Sequence, residues 1–250
     1  SVRNDDGVAY LEAMSPVDCI FLDPARRNEH GGKTVAISDC EPNVAELEGL
    51  LLSKANRIMI KLSPMLDLSQ ALKELPHTQE VHIISVNNEC KELLLLLGQT
   101  APEEIPVHCV NLSTKGEQEK QLFVFTREQE QHSECSYTDT LGNYLYEPNA
   151  SLLKAGAFRS IAAAYSVKKL HPNSHLYTSD TQIEGFPGRT FRIINRCSLN
   201  KKEIKENLSD LKKANITVRN FPATVAELRK RIKLAEGGDT YLFASTLNDG

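Results

Sequence analysis

One short segment places a carboxylate beside two guanidinium groups: Asp23-Pro24-Ala25-Arg26-Arg27. The preceding apolar residues, 17–22, are typical of a buried strand, and Pro24 ends it because proline has no N–H to donate. Asp23 is therefore expected at the carboxyl end of a strand, where open α/β sheets bind ligands. Arg26 and Arg27 can each hold a phosphate or carboxylate group in bidentate fashion. We predict a functional site here; the alternative is an Asp-Pro turn whose arginines pair with surface acids.

Polar residues end two further predicted strands. Lys61 lies near the end of strand 57–62, and Asn87 and Asn88 follow strand 81–86. All of them could face the crevice that contains Asp23, where the asparagines would supply amide contacts. Because lysine is rarely buried without a partner, the sequence is equally compatible with a role for Lys61 in the site and with a position on the surface.

An acidic run precedes the first predicted helix. Asn4, Asp5 and Asp6 lie one turn before residues 7–14. A carboxylate at this place stabilises the positive end of a helix. It could instead accept hydrogen bonds from a bound nucleoside, but the residues alone favour capping.

These residues must be positioned by elements that alternate along the first half of the chain. The apolar pattern predicts helices over 7–14, 43–55, 68–75 and 89–97, and strands over 17–22, 57–62, 81–86, 107–112 and 121–126. Strands that alternate with helices indicate a parallel α/β sheet. The last two strands lack a long crossover, so they are expected to pair as an antiparallel edge.

The second half has a different pattern. A helix over 150–165 and a turn-rich stretch precede a β-α-β-α-β unit, with strands at 190–196, 216–219 and 241–245 and helices at 201–213 and 225–234. Phosphate contacts need several cations within reach of one face. We predict that RNA phosphates are bound by basic residues of this unit, namely Arg189, Arg192, Arg196, Lys201, Lys205 and Lys212. On the predicted helix, Lys201, Lys205 and Lys212 share one side.

Charge divides the chain in the same way. Residues 1–150 carry 12 basic and 24 acidic side chains, whereas residues 151–250 carry 17 basic and 9 acidic ones. An acidic body joined to a basic end is typical of a binding module that faces a polyanion, although a solvated basic surface explains the charge equally well.

The composition indicates a cytoplasmic protein. The six cysteines are dispersed and form no CxxC pair, which is typical of reduced thiols. No apolar run is long enough to span a bilayer. The histidines His171 and His175 lack partners at ligand spacing, so the sequence predicts no metal site. Because the chain begins at Ser1 within an apparent element, we expect a fragment of a longer protein.

Several motifs together resemble a known family. Asp6-Gly7-x-x-x-Leu11 followed by residues 18–24 resembles the second half of a class I S-adenosylmethionine-dependent methyltransferase. Further segments resemble a family of such enzymes from Bacteroidetes that ends in a ferredoxin-like segment and a THUMP-like domain. These segments are Asp23-Pro24-Ala25-Arg26-Arg27, Ser38-Asp39-Cys40-Glu41-Pro42-Asn43, Ile60-Lys61-Leu62-Ser63-Pro64, Ser85-Val86-Asn87-Asn88-Glu89-Cys90-Lys91-Glu92-Leu93 and Tyr146-Glu147-Pro148-Asn149-Ala150.

The resemblance implies a fold and a division of the chain. It implies the later half of a Rossmann-like α/β methyltransferase sheet, followed by a small α+β THUMP-like domain. The partial methyltransferase domain would span 1–130, the ferredoxin-like segment 137–185 and the THUMP-like domain 186–250.

The resemblance also implies a function. The cofactor would be S-adenosylmethionine, with Asp6 on the adenosine and Asp23 orienting the nucleophile. The partner would be RNA such as tRNA or rRNA, with no membrane and no metal. The catalytic residues would be Asp23, Pro24, Arg26, Arg27 and Lys61. The alternative is a non-catalytic RNA-binding or assembly module on a degenerate methyltransferase fold.

Two features depart from the family pattern. None of the 13 glycines forms a GxGxxG loop, and the first strands of the fold would lie upstream of Ser1, so this chain alone is expected to be inactive. Ala25 and Arg26 occupy places where base-methylating relatives carry a proline and a stacking aromatic residue. Arg26 can stack through its planar guanidinium, but methylation of a base amino group does not follow automatically.

Overall fold

The computed structural model describes residues 2–26, 36–114 and 120–247. Contacts divide the chain into two compact units. The first contains Ser1–His132 and Asn149–Ala157, and the second contains Ser133–Pro148 and Phe158–Gly250. Within the described ranges, no helix has the length and apolar character needed to cross a membrane.

A six-stranded sheet organises the first unit. Its strands and two short additional ones are β1 (Val17–Leu22), β2 (Ala25–Arg26), β3 (Cys40–Glu41), β4 (Ala55–Leu62), β5 (Thr78–Val86), β6 (Glu89–Leu97), β7 (Pro106–Leu112) and β8 (Lys120–Thr126). The sheet order is β1-β4-β6-β5-β7-β8, and β2 pairs with β3. Strands β1, β4, β5 and β7 run in one direction, whereas β6 and β8 run in the other. The predicted α/β class is confirmed, with β8 as an antiparallel edge.

The described part of the first unit also contains α-helices. They include α1 (Gly7–Ala13), α2 (Val44–Lys54), α3 (Leu68–Glu74), α4 (Arg127–His132) and α5 (Ala150–Ala155). Helix α2 packs on β4, and α5 packs across β5, β6 and β7. Alternate β4 residues Ile58, Ile60 and Leu62 are buried, whereas Lys61 between them is partly exposed. Because successive side chains of a strand point to opposite faces, Lys61 lies on the face opposite this core.

Residues 89–97 form strand β6, so the prediction of a helix there was wrong. Asn87 and Asn88 have φ values of 51° and 63°, which fit a tight hairpin turn with two left-handed residues. The turn folds β6 back onto β5, and β6 also pairs with β4. The run Leu93–Leu97 is leucine at every position, so its sequence shows neither a helical nor a strand period, although in the structure Leu93, Leu95 and Leu97 are buried and Leu94 and Leu96 are only partly so.

The second unit contains two smaller sheets. Its elements are β9 (Tyr144–Pro148), α6 (Phe158–Tyr165), β10 (Lys168–Lys169), β11 (Tyr177–Ser179), β12 (Gly188–Arg192), α7 (Lys201–Leu208), β13 (Asn215–Arg219), α8 (Val225–Ile232) and β14 (Tyr241–Ser245). One sheet has the order β10-β11-β9-β12, and the other pairs β13 with β14 in parallel. The predicted β-α-β-α-β order is present, although its first strand, β12, belongs to the sheet of β9.

Two predicted helices are shorter than the sequence pattern indicated. The helix expected over 150–165 ends at Gly156, which has a φ of 74° and caps α5; α6 then begins at Phe158. Glycine adopts this left-handed conformation without steric cost. The helix expected over 201–213 ends at Leu208. Lys212 therefore does not share a helix face with Lys201 and Lys205.

His175 is a partly buried histidine in the second unit. Its ring stacks on Phe158 with a centroid distance of 3.6 Å, and its buried Nδ1 atom has no hydrogen-bond partner among the residues that the structure describes. Burial, with smaller contributions from the nearby charges of Lys169 and Arg219, lowers the pKa of His175 to about 4. The ring is therefore neutral at pH 7.

This burial predicts a loss of stability in mild acid. The unfolded chain takes up a proton near pH 6.5 and the folded chain only near pH 4, so the free energy of unfolding falls as pH drops through that window. Allowing for the partial solvent contact of the ring, we expect a contribution of about 1–2 kcal/mol between pH 7 and pH 5. The free energy of unfolding of His175→Asn, measured with urea, should not show this change between pH 7 and pH 5, because asparagine does not titrate. Asparagine also tolerates the positive φ of 52° at this position. His132→Asn, at an exposed histidine, is the matched control. If the free energy of unfolding depends on pH in the same way in both variants, the assignment to His175 is contradicted.

Candidate functional site

Asp23 and Lys61 meet at the carboxyl ends of two adjacent parallel strands. Leu22 of β1 is in register with Ile60 of β4, which places the next residue of each strand at the same edge. The Lys61 Nζ atom lies 2.5 Å from Asp23 Oδ2, and the two side chains are 31% and 52% exposed. The structure thus brings together two residues that the sequence assigned to one crevice, and both remain open to a ligand.

The charge on Lys61 is fixed by its surroundings. The hydrogen bond to Asp23 raises the pKa of Lys61 above 10.5; the nearby Glu92 carboxylate also raises it, while burial opposes the shift. Lys61 is therefore an ammonium group at neutral pH and cannot act as a base. Its geometry suits it to hold the Asp23 carboxylate in place, so that this carboxylate can accept a hydrogen bond from a ligand.

The other residues of the predicted segment are only partly described. Pro24 is half-buried and lies two residues beyond the end of β1. The backbone of Arg26 lies in β2, opposite Cys40 of β3. Arg27 lies outside the described residues.

Asp6 caps α1, as the residues alone indicated. Its Oδ1 atom accepts hydrogen bonds from the backbone N–H groups of Val8 and Ala9, both at 2.9 Å. A helix N-terminus stabilises a carboxylate through these donors and through the helix dipole. Both of these bonds use one carboxylate oxygen, so a second role for Asp6 would use Oδ2.

The two asparagines of the β5–β6 turn form hydrogen bonds to other residues of the first unit. Asn87 Nδ2 donates to Thr114 Oγ1 at 2.9 Å, and Asn88 Oδ1 accepts from the Ala150 N–H at 2.8 Å. The backbone N–H of Asn88 donates to Asn111 Oδ1 at 3.0 Å. These bonds hold the carboxyl edge of the sheet against the start of α5.

A buried amide cluster at this edge was missed in the sequence. Asn149 Nδ2 donates to Gln121 Oε1 at 3.0 Å, and Asn111 Nδ2 donates to the same oxygen at 3.3 Å. Asn149 also caps α5 by accepting the Leu152 N–H. Asn149 is 1% exposed, and the cluster therefore ties β7, β8 and α5 together within the first unit. The signal was present in Glu147-Pro148-Asn149-Ala150, where asparagine precedes a helix.

The predicted phosphate-binding residues of the second unit are mostly exposed. Arg192, Arg196, Lys201, Lys205 and Lys212 all have exposed side chains. Arg189 differs because Glu147 binds its guanidinium, and Phe191 and Tyr241 flank it at 5.3 and 5.2 Å. The structure thus leaves five of the six accessible to a polyanion.

Glu147 is a buried carboxylate that sequence reasoning did not single out. It lies in β9 and is 2% exposed. Arg189 Nε donates to Glu147 Oε2 at 2.9 Å, and Arg219 donates to Oε1 at 2.6 Å. One carboxylate thus joins β9, β12 and β13, and we call these three residues the Glu147 triad.

The comparisons with known proteins agree with this architecture. The chain resembles a crystal structure described as that of a "putative methyltransferase from Porphyromonas gingivalis W83", with a TM-score of 0.82 and 41% sequence identity over 93% of this chain. Residues 144–187 match the family described as a ferredoxin-like domain, and residues 188–250 match the one described as THUMP domain-like. The predicted resemblance is confirmed. The chain spans 57% of the length of that structure. No sequence among the curated proteins matches it.

Proposed function

We propose that the whole protein containing this chain transfers a methyl group from S-adenosylmethionine to RNA or a related substrate in the cytoplasm. The observation that carries the proposal is the Asp23–Lys61 pair, which presents an oriented carboxylate at the carboxyl edge of a methyltransferase-like sheet. The THUMP-like match and the five exposed basic residues of the second unit support RNA as the substrate.

The hydrogen-bond acceptors in this chain fit the proposed cofactor. S-adenosylmethionine carries an adenine amino group, ribose hydroxyls and positive charges, all of which pair with carboxylates. Asp6 and Asp23 are such carboxylates, and they lie on either side of β1 in the chain. Asp6 would contact the adenosine. When bound, the cofactor supplies an electrophilic methyl group.

The chain's own residues would then bind and orient the substrate. Asp23 would accept a hydrogen bond from the nucleophile and hold its reacting atom in line, which is a large part of the rate gain in group transfer. Lys61 would keep the Asp23 carboxylate in its orientation. Arg26 and Arg27 would hold a substrate phosphate, and Pro24 would direct the chain away from the strand.

Two observations are compatible with the non-catalytic alternative. The ammonium group of Lys61 already neutralises Asp23, and the exposed basic residues could bind RNA without any chemistry. An assembly module would need only this second property.

Calorimetry of the full-length protein distinguishes the two functions. We expect S-adenosylmethionine to bind one site, and Asp6→Asn to weaken that binding at least about 10-fold, because an anionic acceptor is replaced by a neutral amide. Asp5→Asn, which removes a neighbouring exposed carboxylate, is the control. Absence of any binding heat in the wild-type protein would favour the non-catalytic module.

Salt dependence tests the proposed RNA contacts. Five phosphate contacts predict that the affinity of the full-length protein for RNA falls about 100-fold between 50 mM and 200 mM salt. Replacing Lys201 and Lys205 by glutamine should reduce the slope of log affinity against log salt concentration by about 1–2. Lys168→Gln removes an exposed cation of the same unit outside the predicted set and should leave the slope unchanged. A flat response in the wild-type protein would rule out phosphate-driven binding.

A further inference from the structure

Two histidines and a glutamate converge on the open face of the first unit's sheet. Glu80 and His82 lie two residues apart in β5, so both side chains point to the same face. His108 of β7 is directly opposite His82 in the parallel register. The Glu80 Oε2 atom lies 3.2 Å from His82 Nε2 and 3.9 Å from His108 Nε2. One ligand atom from each residue lies within 4.8 Å of the other two.

We propose that Glu80, His82 and His108 bind a divalent transition-metal ion such as Zn²⁺. Two imidazole nitrogens and one carboxylate oxygen are a donor set that suits zinc and its neighbours in the first transition row. Three protein ligands leave a fourth position for water or a substrate atom.

The spacing of the ligand atoms suits such an ion. Bonds of 2.0–2.1 Å in a tetrahedral site separate neighbouring ligand atoms by about 3.3 Å. The Glu80–His82 distance of 3.2 Å already matches, and the Glu80–His108 distance of 3.9 Å is about 0.6 Å too long. The two rings stack at 4.4 Å with an interplanar angle of 9°, so their in-plane nitrogen lone pairs are nearly parallel, and metal binding would require both rings to tilt toward a common ion.

The surroundings distinguish this cluster from an ordinary surface ion pair. Leu94 of β6 is in register with His82, and Val124 of β8 is in register with His108. The three polar side chains are therefore bordered by apolar residues on both neighbouring strands, and an apolar border strengthens metal–ligand electrostatics. All three side chains are between 27% and 45% exposed, which provides a path for an ion to enter.

The inference revises the expectation of no metal site. That expectation came from ligand spacing along the chain, whereas His82 and His108 lie in separate strands that only the sheet brings together. The proposed metal site is independent of the proposed methyl transfer, because neither Asp23 nor Lys61 is one of its ligands.

Metal titration of the protein tests the proposal directly. We expect one equivalent of Zn²⁺ to bind in competition with a chromogenic chelator, and His82→Gln and His108→Gln each to weaken the affinity at least about 10-fold. The exposed His132→Gln is the matched control and should bind zinc as the wild type does. Circular dichroism of each variant checks that the sheet still forms.

Cobalt substitution identifies the donor atoms. Bound Co²⁺ should give the visible absorption of a four-coordinate site without a thiolate charge-transfer band, since no cysteine belongs to the cluster. A thiolate band would place the metal on one of the six cysteines and overturn the proposal. Zinc binding that is unchanged in both histidine variants, or absent from the wild type, would overturn it as well.

Discussion

Asp23→Asn is expected to slow methyl transfer by the full-length protein about 100-fold or more. Asparagine keeps the size of the side chain but loses the negative charge and one acceptor, so the nucleophile is held less strongly. It also leaves the ammonium group of Lys61 without its partner at 2.5 Å. Transfer of a labelled methyl group from S-adenosylmethionine to total RNA measures the effect. We expect the loss mainly in kcat, since the contact matters most in the transition state.

Asp18 provides a matched control for this variant. It lies in the same strand, β1, and is exposed. Asp18→Asn should therefore leave the rate unchanged. A second comparison uses Lys61→Met alone and together with Asp23→Asn. If Lys61 acts by holding Asp23, the two losses will be far from additive. Wild-type activity in Asp23→Asn would remove the carboxylate from the proposed mechanism.

Glu147→Gln is expected to destabilise the second unit by about 2–4 kcal/mol. The substitution keeps the shape of the side chain, but the guanidinium groups of Arg189 and Arg219 lose the buried carboxylate charge that compensates them. The value is set below that of a fully buried pair because both arginines are 37% exposed and partly screened by water. Urea unfolding measures it, and the exposed Glu184→Gln serves as control. A change below about 0.5 kcal/mol would contradict the burial argument.

A triple variant tests whether unpaired charge accounts for the loss of stability in Glu147→Gln. Replacing Glu147, Arg189 and Arg219 together by leucine and methionines removes all three charges at once. Because charge burial is costly, we expect this variant to be much closer in stability to the wild type than Glu147→Gln is. If it is equally unstable, shape and hydrogen-bond geometry, rather than unpaired charge, account for the loss.

Local patterns in the sequence were sufficient for much of the sheet. The strand at residues 17–22 and the helix capped by Asn43 were predictable, because a short apolar run and a capping side chain act within a few residues. The contact between Asp23 and Lys61 was also predictable. Both residues lie at the carboxyl ends of apolar strands, and parallel neighbours bring such ends together.

Features that depend on distant partners were not predictable in this way. The run Leu93–Leu97 has no period, and only pairing with β4 and β5 decides that it is a strand. Glu147 reads as an ordinary charged residue until two arginines from other strands reach it. His82 and His108 become neighbours only when β5 and β7 pair.

The position of β6 imposes an order of assembly on the growing chain. During synthesis β4 and β5 emerge first, yet they are not partners, since β6 lies between them. Until residue 97 leaves the ribosome, each presents an edge with unsatisfied backbone groups, and such edges promote misassembly. The tight turn at Asn87-Asn88 limits this interval, because a two-residue connection lets β5 and β6 form a hairpin as soon as both are available. The hairpin can then dock on β4 as a preformed piece and close the middle of the sheet.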